Sequence, residues 1–479
     1  MQPIKKDYIK FYILILILIF SLICIISRYP HQALIKKDFV RDWKEIKERD
    51  TLYVTTGYNS ISYFIYRGQP MGFQYEMINH LANALNINIQ IIVSNDMKSS
   101  FEMLRDGRCD IIAVDLSVTK ERSEEFSFTL PHSQTRQVLV QAKPPNWEKM
   151  SRKRIEKYLI RNQTEMENIY IHIPTNTSFK SRIQSLSDEI GAPIHIVELP
   201  GIGSEQLIEK VATYQIQYTV CDEHLAAVNG FYYNNIDYST PISFKQNLSW
   251  AVRKTSPVLL KKINNWLDSF TQSIEYEHLY NKYYRNPRSV EIFESEFFSG
   301  KTDKISDYDS LMKVYAKDID WDWLLLASLI FEESRFNHDL YSWAGAYGLM
   351  QLMPVTAKRF GASTPSNPEE NIRAGTKYIK WLDEHFQVYV PDKEERIKFI
   401  IAAYNIGHNH IVDAIKLTEK YGDNPARWDE VKEYFLLKSN PKYYRDPVVK
   451  YGYCRGTSST RMVENVLNRY KNYKILYKN

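Results

Sequence analysis

Trp321-Asp-Trp-Leu-Leu-Leu-Ala-Ser-Leu-Ile-Phe-Glu-Glu333 decides how the C-terminal half of this chain folds. From Trp323 to Phe331 almost every position is apolar and no Gly or Pro interrupts, so the segment reads as a helix buried on most sides. On such a helix Leu326, Leu329 and Ile330 share a face, and Glu333 continues it at the i+3 and i+4 spacing. Glu332 sits about 100° further round, over Ser328. A carboxyl that closes an apolar stripe is partly desolvated, which disfavours its ionised form and raises its pKa. It can then donate a proton near neutral pH. The competing reading is an ordinary helix-end Glu neutralised by Arg335.

Outward from this helix the helical pattern continues. Asp307-Tyr-Asp-Ser-Leu-Met-Lys-Val-Tyr starts a helix before it, and further helices fit 354–360, 368–386, 394–404 and 462–473. Residues 286–305 read as a linker, polar with Phe293, Phe297 and Phe298 scattered among acids, Ser and Gly. Upstream the period changes. Leu52-Tyr-Val-Thr-Thr, Ile87–Val93 and Ile111-Ile-Ala-Val are strand-like, and Phe73 to Leu85 has helical spacing. A second set of strands follows at 169–173, 194–197 and 218–221. Strands alternating with helices predict mostly parallel α/β sheets in two lobes.

The C-terminal half carries Glu333-Ser334-Arg-Phe-Asn337, then Ser342-Trp-Ala-Gly345-Ala-Tyr-Gly348-Leu-Met-Gln351-Leu-Met-Pro354, and later Ala402-Ala-Tyr404-Asn405-Ile-Gly407. In order and spacing this resembles the goose-lysozyme-like catalytic domain of lytic transglycosylases, over about 306–479. The N-terminal half carries Gly72-Phe-Gln-Tyr-Glu-Met77, Leu104-Arg-Asp-Gly-Arg-Cys-Asp110, Ser117-Val-Thr-Lys-Glu-Arg122 and Leu248-Ser-Trp-Ala-Val252. These resemble family-3 periplasmic solute-binding proteins, the amino-acid receptors. The likeness predicts a domain over 45–285, with lobe 1 taking 45–140 and 236–285 and lobe 2 taking 141–235. Together the two halves resemble the membrane-bound lytic murein transglycosylase F family. The expected architecture is a two-lobed α/β binding-protein-like domain followed by a mainly α lysozyme-like domain.

The resemblance implies roles residue by residue. Glu333 would be the single catalytic carboxylate. Ser342 and Gln351 would line the cleft with polar groups, although Gln351 could equally cap a helix. Ser334 could hydrogen-bond near the carboxyl or only close the helix end. Gly345 and Gly348 permit a tight loop close to a sugar, or a plain turn. Tyr404 and Asn405 would contact substrate, with core packing the competing account of Tyr404. The family commonly has a Tyr just ahead of Val-Glu-Asn. Here Met462 precedes Val463-Glu-Asn465, so a hydroxyl near the carboxyl is missing unless Tyr451 or Tyr453 supplies it. In the receptor-like half, Arg122 matches the Arg that forks onto a ligand α-carboxylate. Asp222 matches the acid that meets an α-amino group, and Thr119, Thr177 and Ser178 fall at hydrogen-bonding positions.

The implied reaction cleaves the bond between N-acetylmuramic acid and N-acetylglucosamine in peptidoglycan and leaves a 1,6-anhydromuramoyl end. No metal or cofactor is implied. The implied partners are glycan strands, the membrane, and a muropeptide, peptide or amino acid in the N-terminal module. A hydrolytic muramidase and a non-enzymatic, membrane-tethered receptor are the alternatives.

Composition agrees. A chain of 479 residues is too long for one core. A net charge of +5 without a dense basic patch gives no argument for nucleic acid. Lys5, Lys6 and Lys10 precede an apolar run from Phe11 to Ile26, just under the roughly 17–25 residues that span a bilayer. Residues 1–29 therefore read as a signal or an uncleaved membrane anchor, and the remainder as exported to the periplasm. Cys24 lacks the small preceding residue expected of a lipidated Cys. Outside that run Cys109, Cys221 and Cys454 show no zinc spacing and read as buried free thiols.

Overall fold

The computed structural model describes residues 39–286, 289–300 and 302–477. The apolar N-terminal segment read as signal or anchor lies outside them. No helix among the described residues is long and apolar enough to cross a membrane.

The N-terminal half is built on two sheets. The first contains β1 (Thr51–Thr56), β4 (Asn88–Val93), β5 (Ile111–Ser117), β6 (Phe126–Phe128), β7 (Ser133–Thr135) and β13 (Gln246–Arg253). β4, β1 and β5 are parallel, while β13 runs antiparallel to β5 and to β6. The second contains β8 (Gln137–Ala142), β9 (Tyr170–Pro174), β10 (His195–Leu199), β11 (Tyr218–Asp222) and β12 (Ile236–Pro241), in the order β10-β9-β11-β8-β12. Here β10, β9 and β11 are parallel and β8 is antiparallel. Each sheet thus keeps a parallel trio of the kind the alternating pattern predicts. β8 and β13 are the strands by which the chain enters and leaves the second lobe, so the crossing sets their direction.

β8 and β12 both pair within the second sheet, which therefore spans 137–241. Cys109, Cys221 and Cys454 are free and buried.

Two further strands, β2 (Phe64–Tyr66) and β3 (Gln69–Met71), form a hairpin turning through Arg67 and Gly68 just before helix α1 (Phe73–Leu85). The segment expected to be a plain linker pairs with it. Arg67 N–H donates to the Phe297 carbonyl, Ser299 N–H to the Ile65 carbonyl, and Ile65 N–H to Ser299 Oγ. Phe298 is buried beside Phe64. The linker therefore meets the hairpin through a single antiparallel bridge, Phe298 to Tyr66, and a short helix at Ser289–Glu294 precedes it.

The C-terminal half is helical: α2 (Asp309–Asp318), α3 (Trp323–Ser334), α4 (Pro354–Phe360), α5 (Pro368–Phe386), α6 (Lys393–Ile406), α7 (His408–Tyr421), α8 (Trp428–Leu437) and α9 (Thr457–Leu476). Helix α3 is its centre, with Leu324 through Phe331 all buried. At roughly 1.5–3 kcal/mol per buried apolar side chain, burial dominates the helix's stability over intrinsic propensity. Asp322 caps α3 by accepting from Leu324 N–H. Ile65 of the hairpin is fully buried in this same core, so the two halves share apolar contacts.

Candidate active site

Glu333 lies on the last turn of α3, where the chain reverses through left-handed backbone at Arg335 (φ 52°) and Phe336 (φ 62°). Its carboxyl has no hydrogen-bond or ion-pair partner among the described residues. Burial raises its pKa to about 8, and the charge of Glu332 adds to the effect. Arg335, the alternative partner, does not neutralise it. Glu332 has the opposite environment. Arg469 on α9 donates to Glu332 Oε1 through Nε at 2.9 Å and Nη2 at 2.7 Å, and Asn465 Nδ2 donates to Oε2 at 3.1 Å. Of two adjacent carboxyls, one is thus paired with a guanidinium and the other is unpartnered and kept protonated near neutral pH by burial.

The loop after α3 is held by a set of hydrogen bonds of its own. Ser342 Oγ accepts from Ala346 N–H at 2.9 Å, and Gly345, at φ 87°, closes the turn. Gln351 Nε2 donates to the Leu340 and Gly348 carbonyls, each at 2.9 Å. Asn371 on α5, which sequence reasoning missed, staples the same loop. It accepts from Met350 N–H at 2.8 Å and donates to the Tyr347 carbonyl at 3.2 Å. Gly348 packs so closely on it that a Cβ there would sit 2.5 Å from Asn371 Nδ2. Only a buried Asn inside the apolar stripe of α5 could have signalled this.

Tyr404 is buried and donates to the Met350 carbonyl at 2.7 Å, while Glu333's charge contributes to its raised pKa. Ser334 is buried with its hydroxyl on the Ile330 carbonyl at 3.2 Å. Asn405 is exposed and accepts from Ser459 Oγ at 2.7 Å. Met462 is buried in the core of this domain. Tyr451 and Tyr453 are exposed, and the ring contacts they make are with His410 and Tyr444. Their loop is tied down by buried Asp413, which accepts from Lys450 N–H, Tyr451 N–H and the fully buried Lys438 ammonium.

In the N-terminal half a cavity of about 250 Å³ lies between the lobes. Thr177 and Asp222 line it, together with Asp115, Glu205 and His224, which sequence reasoning did not single out. An acid inside the otherwise apolar strand β5 was the available signal for Asp115. Thr119 and Ser178 line a second, more open recess. Thr119 Oγ1 accepts from Arg122 N–H, and Thr177 Oγ1 donates to the Pro174 carbonyl. Arg122 lines neither space. Its Nη1 donates to the Ser117 carbonyl at 3.1 Å, and the guanidinium lies over the Phe101 ring.

Comparison with known proteins bears on both halves. The bacterial extracellular solute-binding proteins, family 3, match residues 51–286, and the transglycosylase SLT domain matches residues 310–426. A protein of Desulfosudis oleivorans named membrane-bound lytic murein transglycosylase F is 30% identical over 429 residues, which cover 89% of this chain and 90% of that one. Its namesake in Aliivibrio fischeri is 27% identical over 89% of this chain and 84% of its own. Among solved structures, the arginine-binding protein ArgBP of T. maritima aligns with 50% of this chain and 98% of its own, at 19% identity and a TM-score of 0.41.

Proposed function

This chain belongs to the membrane-bound lytic murein transglycosylase F family, and we propose that it cleaves peptidoglycan glycan strands with Glu333 as its only acid and base. That it is a lytic murein transglycosylase follows from the relatives and the matched catalytic domain. The observation that carries the role of Glu333 is its contrast with Glu332: one unpartnered carboxyl with a pKa near 8 beside one committed to Arg469.

With a single carboxyl the two halves of the reaction must use it in turn. Glycosidases that work with two carboxylates divide the acid and nucleophile or base roles between them. Here protonated Glu333 donates to the glycosidic oxygen as the bond from C1 of the muramoyl residue breaks. The substrate's acetamido group stabilises the cation at C1. Glu333, now a carboxylate, takes the proton of the C6 hydroxyl as its oxygen attacks C1. The bond to the leaving sugar is replaced by an internal one, the proton returns to Glu333, and no water is consumed. Ser342, Gly345 and Gln351 shape the wall of the cleft, Tyr404 and Asn405 its floor, and Ser334 closes the helix behind the acid.

The N-terminal module binds a small ligand from cell-wall turnover and adjusts the catalytic half, and residues 1–29 hold the chain at the membrane on the periplasmic side. Supporting the adjustment, Phe298 and Gly300 of the linker form part of the interlobe cavity wall, and Phe298 bridges to Tyr66 of β2. The test is mass spectrometry of products from purified peptidoglycan treated with the parent or Glu333→Gln. Anhydromuramoyl ends from the parent alone are the expected result. Reducing ends that vanish with the substitution would make the enzyme a muramidase, and no products from either would leave the receptor reading.

A further inference from the structure

Three carboxyls of the described residues, Asp115, Glu205 and Asp222, face the interlobe cavity, and His224 is the one base among those residues that lines it. Asp115 is already engaged: His224 Nε2 lies 2.9 Å from its Oδ2 and Gln74 Nε2 donates to its Oδ1 at 2.7 Å. Gln74 in turn accepts from the buried Trp250 indole, so this carboxyl is fixed from the core.

Neither of the other two has an ion-pair partner among the described residues, although the charge of His224 acts on Asp222. Glu205 accepts from Ser60 N–H at 3.1 Å, from Ser60 Oγ, and from Asn229 Nδ2 at 3.4 Å, all neutral donors. Asp222 Oδ1 is buried with no partner among the described residues. A buried carboxylate lacking a cation or a full set of donors costs several kcal/mol, which a protein tolerates where a ligand makes up the deficit. Asp, Glu and His here do not gather tightly enough for a metal: no set of three among the described residues could hold an ion. The rest of the wall includes Ile61, Met97, Val114, Phe179 and Leu225, which suits methylene groups and not a hydrated ion.

We propose that this cavity selects an organic cation, an alkylammonium or guanidinium group on a short aliphatic chain, seated on Asp222 and Glu205. This rests on the reading of the N-terminal module as a ligand-binding one, and it names the ligand's chemical class. Arg122, outside the cavity, plays no part in holding the cationic end. A ligand that also carries a carboxylate would have to reach the recess beside Thr119 to approach it. A basic amino acid, a diamine and the free side-chain amine of a wall peptide all present the required group, and a panel separates them.

The test is isothermal titration of the full-length chain with L-lysine, L-arginine, 1,5-diaminopentane, L-leucine and L-glutamate. The expected result is that at least one cationic compound binds tenfold or more tightly than leucine and glutamate. Asp222→Asn and Glu205→Gln should each weaken that binding tenfold or more without lowering the melting temperature. Diaminopentane matching lysine means that the amine alone is read, whereas lysine alone binding means a carboxylate hold is also needed; either supports the class. Leucine or glutamate binding best would overturn the cationic class and leave a ligand-binding module standing. No heat from any member at millimolar concentration would overturn both. Cation binding that survives the two substitutions would move the site elsewhere and overturn the assignment to this cavity.

Discussion

Arg469 Nη2 lies 2.7 Å from Glu332 Oε1, and the same guanidinium donates through Nη1 to the carbonyl of Gly68 at 2.8 Å. One side chain therefore joins the hairpin of the N-terminal half to the residue beside Glu333, the proposed acid. It also lies over the Phe331 ring, 3.7 Å from its centroid, so it is held by packing as well as charge.

The first prediction concerns pH. The opening step requires protonated Glu333, so kcat/KM should fall as pH rises through its pKa of about 8. Arg469→Leu leaves the Glu332 charge uncompensated, which disfavours ionisation of Glu333 further. The alkaline limb should move up by about 0.5–1 pH unit, with Arg469→Lys moving it less. A limb that stays in place or shifts downward in Arg469→Leu would remove Arg469 from the tuning of the acid.

Glu333→Gln should cost roughly 10²–10⁴-fold in turnover or more and yet stabilise the fold at neutral and alkaline pH. The folded pKa of Glu333 is raised, so the unfolded chain gives up this proton first as pH rises. The stability it contributes is complete below about 4.5, the ordinary Glu value, and is lost progressively up to about 8. Thermal melts from pH 4 to 9 should show the melting-temperature advantage of Glu333→Gln growing across that window. A constant difference would mean the carboxyl is not held protonated by the fold.

Gly348→Ala tests the loop. At φ 85° and with Asn371 where the Cβ would go, the substitution combines backbone strain with a clash. A loss of about 1–3 kcal/mol is expected in denaturant unfolding, with a larger fall in kcat than in substrate affinity because Tyr404, whose pKa the Glu333 charge affects, hydrogen-bonds this loop at Met350. Gly345→Ala has open space at its Cβ, so only strain applies and the effect should be smaller.

Gly68→Ala tests the seam between the halves. Its Cβ would meet Tyr473 Oη at 2.6 Å and the rings of Phe336 and Phe331 within 3 Å. The hairpin must lift off α9, breaking the Tyr473 and Arg469 contacts to the Gly68 carbonyl. Limited proteolysis should then cut within 286–305 several-fold faster than in the parent. Unchanged cleavage would show that the linker's pairing with β2 survives without those contacts.

Much of this was legible before any coordinates. The strands at 51–56, 88–93, 111–117 and 170–174 announce themselves by apolar runs, and the burial of 324–331 by the absence of any polar face. Helix α7 was missed because it begins at His408, directly after Gly407, with no loop to mark a new element. The short hairpin at 64–71 carries too few residues for a period to register.

What the sequence determined by itself is local: which segments are helices and strands, and that Glu333 ends an apolar stripe within a motif contiguous in the chain. The tertiary structure alone decided which of two adjacent glutamates is ion-paired, because Arg469 reaches Glu332 across 137 positions. It also decided that Asn371 holds the loop, that the linker bridges to the hairpin, and that Asp115, Glu205 and Asp222 meet in one cavity. Periodicity records which face of an element is dry, a property of neighbours along the chain. An ion pair or an acidic cavity is a property of neighbours in space, and the spacing of residues along the chain leaves no trace of it.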